Sequence, residues 1–169
     1  MSNQHGVNDG SIQVNTGGTP YDVGAAGFLR TVTGAYGLVF LIVGILGFVP
    51  GVTTHYGDLT FAGHTSGAEL AGVFQVSVLH NLIHLAYGVV GLTLAARPRP
   101  AALYLLLGGV VYAVVWLYGV LVGDDSQANV VPLNSADDWL HLVLAVSMVA
   151  LGVLGLRRLR HRGRGPSLA

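Results

Sequence analysis

Apolar residues in this chain fall in long unbroken runs separated by short polar or charged breaks. Residues 28–50 are apolar apart from Arg30 and stop at Pro50-Gly51. Residues 70–96 contain no Asp, Glu, Lys or Arg and stop at Arg97-Pro98-Arg99-Pro100. Residues 101–123 are again uncharged, and 138–156, opened by Asp138, end at a run of arginines. The hydrocarbon core of a bilayer needs about 20 apolar residues of helix, whereas barrel strands are about ten residues long and alternate strictly. The pattern therefore predicts an all-α polytopic membrane protein, a bundle of four transmembrane helices at about 28–50, 70–96, 101–123 and 138–156. Residues 1–27, rich in Gly, Asn, Ser and Thr without apolar periodicity, are expected to be a disordered tail. Residues 157–169 form an Arg-rich tail.

Composition narrows the reading. Only 9% of the 169 residues are charged, against about 25% in a soluble domain, so most of the chain has no water-facing surface. Eight basic residues balance eight acidic ones, which leaves no positive field for a nucleic-acid partner. The absence of cysteine excludes disulfides, Cys-ligated zinc, iron–sulfur clusters and a thiol nucleophile.

The few charges are segregated. With four alternating helices, Arg30, Arg97, Arg99, Arg157, Arg158, Arg160, Arg162 and Arg164 share one side, and Asp58, Glu69, Asp124, Asp125, Asp137 and Asp138 share the other. The positive-inside rule puts both termini in the cytoplasm. Asn81-Leu82-Ile83-His84-Leu85 also parallels Asp138-Trp139-Leu140-His141-Leu142, a sign of two repeated hairpins.

Candidate chemistry lies on two stripes. Ser77, His80, Asn81, His84, Gly88, Gly91 and Ala95 follow steps of three and four, as do Asp138, His141, Ala145, Met148, Gly152 and Gly155. Small residues let helices approach and polar ones avoid lipid, so both stripes should face the protein interior. His80, Asn81, His84, Asp138 and His141 then form a candidate polar site near the outer face. His80, His84 and His141 could ligate a divalent metal, or a pair of them a haem. Alternatively the cluster moves protons or cations, or it is hydrogen-bonding glue between helices. Asn81 stands where a zinc protease of the His-Glu-x-x-His type needs its Glu, so that route to hydrolysis is excluded.

Weaker signals accompany these. His55, Asp58, His64 and Glu69 in the first outer loop read as a solvated loop before a cation site. Gly47 and Gly51 read as a helix terminus at Pro50, and Ser135 with Asp137 as a cap for the fourth helix. The tail arginines Arg157, Arg158, Arg160, Arg162 and Arg164 would meet anionic lipids at the cytoplasmic leaflet.

Phe48-Val49-Pro50-Gly51, Leu79-His80-Asn81-Leu82-Ile83-His84-Leu85 and Asp138-Trp139-Leu140-His141-Leu142 resemble the corresponding pieces of a bacterial family of four-helix integral membrane proteins, the domain of unknown function 4383. The resemblance covers roughly residues 28–156. It implies a multi-pass plasma-membrane protein without an assigned activity, substrate or cofactor.

The expected function is that of a small accessory or scaffold component of the bacterial plasma membrane, not an enzyme. Its expected partners are the lipid bilayer and either another membrane protein or a second copy of itself. Two alternatives stay open: a haem- or metal-binding redox protein using His80, His84 and His141, and a proton or cation transporter using the same cluster.

Overall fold

The computed structural model describes residues 23–161. Four helices run as α1 (Val23–Leu46), α2 (Val78–Leu94), α3 (Pro98–Val122) and α4 (Ser135–His161). Between α1 and α2 lies a small antiparallel sheet of β1 (Thr53–Thr54), β2 (Glu69–Leu70) and β3 (Phe74–Gln75), in that order. Three helices, all but α2, are long and apolar enough to cross a membrane. At 17 residues α2 reaches about 25 Å, short of the roughly 30 Å hydrocarbon core.

The all-α architecture of four helices stands as expected, and the short sheet and the short α2 correct only the expectation of a second helix from residue 70. Residues 70–77 are uncharged, but Ala71 and Gly72 take left-handed φ values of 55° and 68°, which turns β2 back as β3. Leu70 and Val76 then bury with Ala68 in a separate small core, against Leu46 and Phe74. Ser77 is extended (φ −134°, ψ 169°) and its side chain accepts the backbone N–H of His80, so the helix starts only after it. The other bounds shift less. α1 begins inside the stretch read as a tail, because Ala25 and Leu29 are already buried in the main core. The rest of that tail lies outside the described residues. α3 takes in Pro98 and Pro100 in its first turn, where a missing N–H costs nothing. α4 begins three residues early, at Ser135, capped by Asn134, whose Oδ1 accepts the N–H groups of Ala136 and Asp137.

Packing follows the predicted stripes. α1 lies chiefly on α2 and α3 on α4, with α1 bridging the pairs and α2 barely touching α3. On α4, Asp137, His141, Ala145, Met148, Gly152, Gly155 and Leu159 are buried, in steps of three and four that form one interior seam. At the α1–α2 crossing a Cβ on Gly88 would stand 2.6 Å from the backbone nitrogen of Leu41, a distance only glycine permits. Thr33 Oγ1 donates to the Ala101 carbonyl at 3.1 Å, and Tyr36 to Ser147 Oγ at 2.7 Å. The outward faces carry Leu107, Val114, Leu121, Val143 and Val146, all exposed, which is an exterior suited to lipid and not to water.

The ends of the molecule differ. At one, Arg30 shares a shallow groove with Ala95, and the Arg158 guanidinium lies 5.4 Å from the Phe28 ring centre. At the other, residues 47–77 and 123–134 meet as a lid: Gly63 N–H donates to the Val130 carbonyl at 2.7 Å and Asn134 Nδ2 to the Val73 carbonyl at 2.9 Å.

Candidate metal centre

Beneath the lid, His80 and His84 project from one face of α2 one turn apart, and His141 meets them from α4. The ring centres of His80 and His84 are 4.6 Å apart, and those of His80 and His141 6.1 Å. Exposures of 4%, 8% and 3% put all three more than nine-tenths inside. One nitrogen from each lies within 4.8 Å of the other two. The Nδ1 atoms of all three are buried without a hydrogen-bond partner. An unpaired buried polar group costs on the order of 1–3 kcal/mol, so three in neighbouring rings need a reason.

The surroundings orient these rings. The His80 ring faces the backbone of Gln75 at the end of β3 and of Pro132 in the second loop. That placement orients a ring while leaving a nitrogen for a ligand. His84 stacks on Phe40 of α1 at 5.9 Å and 12°, and Phe40 stacks in turn on Tyr112 of α3 at 5.5 Å and 7°. His141 packs 5.3 Å from the Tyr112 ring. The floor of the site is thus aromatic.

The lid is locked above it. Asp137 Oδ2 accepts the N–H of Gln75 at 3.0 Å and of Asn134 at 3.1 Å, which joins β3 to the start of α4. Asn129 Nδ2 donates to the carbonyls of Asp124 and Leu133, and its Oδ1 accepts the Leu133 N–H, so the loop carrying Pro132 is cross-braced. Tyr118 donates to the Ala128 carbonyl and accepts the Val130 N–H at 2.8 Å.

Of the five residues expected to form a polar site, the structure gathers the three histidines. Asn81 turns toward α1, where its amide fills the space that a Cβ on Gly47 would need, and neither amide atom has a partner. The Asp138 carboxylate sits against Gly119 of α3 with Oδ1 unpaired. Neither belongs to the converging group. His55, Asp58, His64 and Glu69 form no such group among the described residues. Arg157 and Arg158 are exposed on the last turns of α4, which also contain Arg160; Arg162 and Arg164 lie outside the described residues.

Sequence reasoning missed Asp137 as the lid tie and Phe40 and Tyr112 as ring supports. The tyrosines left a signal, since a hydroxyl in the middle of an apolar run needs a polar neighbour. A cavity of about 330 Å³ opens beside the trio, lined by His80, His84, His141, Tyr112, Tyr118, Leu133 and the valines of α3. Its polar groups are the imidazoles and the tyrosines, and its other lining residues are aliphatic.

A family model described as Domain of unknown function (DUF4383) matches residues 30–154. No curated protein and no solved structure matches the chain.

Proposed function

The chain belongs to the domain of unknown function 4383 family, and from that premise we propose that it binds a transition-metal ion of the zinc–copper class on His80, His84 and His141. The observation that carries this reading is the convergence of one nitrogen from each of three buried histidines to within 4.8 Å, in rings whose Nδ1 atoms have no partner. Histidines kept as glue spend their nitrogens on carbonyls or on each other; the three Nδ1 atoms here have no such partner. A tetrahedral ion with bonds of about 2.1 Å needs its donors about 3.4 Å apart. From a spacing of up to 4.8 Å, each nitrogen moves inward by about 0.8 Å, a small side-chain rotation.

An all-imidazole set suits Zn²⁺ or Cu²⁺. Three donors meeting at a point favour a small ion over haem, whose axial ligands face each other across a plate. Three protein ligands also leave a fourth position open, and the same three histidines line the cavity beside them. The domain then serves as a metal-carrying accessory component of the bacterial plasma membrane. We place its arginine-bearing end and both termini in the cytoplasm, and the lid and metal toward the outer face.

The test is elemental analysis of protein purified in detergent without chelator. About one zinc or copper per chain is expected, dropping to background in His84→Ala. A metal-free wild-type protein that also fails to take up zinc on dialysis would overturn the proposal.

A further inference from the structure

We propose that the groove between α2 and α3 binds a long-chain fatty acid, with its carboxylate on the metal and its tail running along the groove toward the α2–α3 turn. This rests on the metal reading above and names the ligand of the open position.

The groove exists because of how the helices pair. α2 and α3 are joined by a tight turn, yet each packs on another helix and they barely touch. Two apolar hollows lie in the seam between them, about 330 Å³ beside the histidines and about 620 Å³ toward the turn. They share Ile83, Tyr87 and Val111, so they adjoin along one seam. Along α2 it runs from His80 to Leu94, about 21 Å at the helical rise. One leaflet of a bilayer is about 15 Å of hydrocarbon, so a membrane-length acyl chain fits within it.

Charge selects the head group. Three neutral imidazoles leave both positive charges of a divalent ion uncompensated, in surroundings of low dielectric where that is costly. No Asp, Glu, Lys or Arg lines either hollow, and Asp138 is turned against Gly119. An anionic oxygen supplied by the ligand meets the need, and a carboxylate on an apolar chain satisfies metal and groove together. An uncharged alcohol of the same length fills the groove but leaves the ion uncompensated.

The experiment uses the full chain in lipid nanodiscs, zinc-loaded, with palmitic acid carrying a diazirine on its tail and the matching palmityl alcohol as probes. The acid should cross-link to peptides containing Leu103 and Leu107, be displaced by unlabelled palmitate, and label more strongly than the alcohol. Stripping zinc should weaken acid labelling at least about tenfold. Val111→Trp plugs the point where the hollows adjoin, and should abolish labelling beyond it while zinc content stays at about one per chain. Val111 is half-exposed in the groove, so the larger ring needs no space in the core. If zinc is bound but the acid labels all four helices alike, or labels Val111→Trp as well as wild type, the fatty-acid site is wrong and the metal site stands. If no zinc is bound in the same samples, both readings fail.

Discussion

His80 and His84 stand one turn apart on α2 with ring centres 4.6 Å from each other and both Nδ1 atoms buried without a partner. Each nitrogen lowers the stability of the metal-free fold. His84→Phe keeps a flat ring to stack on Phe40 and removes the unpaired nitrogen. Metal-free His84→Phe is therefore expected to melt at or above the temperature of metal-free wild type, by up to about 1–3 kcal/mol of stability. Zinc should raise the melting temperature of wild type and leave the variant unmoved. A variant that melts lower without metal, beside a wild type indifferent to zinc, would show that the ring is there for packing.

Asp137 ties the lid to α4 through two backbone N–H groups. The Asp137 carboxyl is buried, and a hydrogen bond without full charge contributes roughly 0.5–1.5 kcal/mol, so losing both in Asp137→Ala should lower stability by about 1–3 kcal/mol. Hydrogen exchange at the Gln75 and Asn134 amides should accelerate, and zinc should leave faster because the Gln75 backbone that His80 faces is released. Asp137→Asn keeps one acceptor oxygen and should fall between. Unchanged exchange at Gln75 in Asp137→Ala would refute the tie.

Gly88 and Gly27 make a matched pair on the helices. A Cβ at Gly88 would lie 2.6 Å from a backbone nitrogen of α1, whereas one at Gly27 meets nothing within 4 Å. Gly88→Ala should cost about 1–3 kcal/mol through overpacking against backbone, while Gly27→Ala should be neutral or gain up to about 1 kcal/mol from helix propensity. Chemical unfolding in mixed micelles measures both. Equal effects would contradict the α1–α2 crossing.

Orientation is testable because the chain has no cysteine of its own. Ser126→Cys in the second loop should react with a membrane-impermeant maleimide on intact cells, and Ala96→Cys at the α2–α3 turn only after lysis. The reverse pattern would invert the topology and put the metal at the inner face.

The interior stripes were legible because a helix repeats every three to four residues, and His80, Asn81, His84, Gly88 and Gly91 are buried as that spacing requires. The lid was not legible. Two-residue strands carry no alternation to read, and apolar Leu70 and Val76, which serve a small core of their own, read as one more turn of membrane helix. Its closure depends on bonds between distant segments, such as Gly63 to Val130, and no local pattern encodes these. Of the adjacent Asp137 and Asp138, spacing from His141 allowed either; burial chose Asp137, at 2% exposure, because two lid N–H groups await it.

Cobalt(II) titration of chelator-stripped protein tests the central claim most directly, since tetrahedral cobalt absorbs in the visible and reports its donor set. The account predicts saturation at about one cobalt per chain, with d–d bands of a three-nitrogen site that zinc displaces. Those bands should vanish in His80→Ala, His84→Ala and His141→Ala and survive in the lid variants His55→Ala and His64→Ala. Bands that persist without the buried trio, or no saturable binding to the wild-type chain, would contradict it.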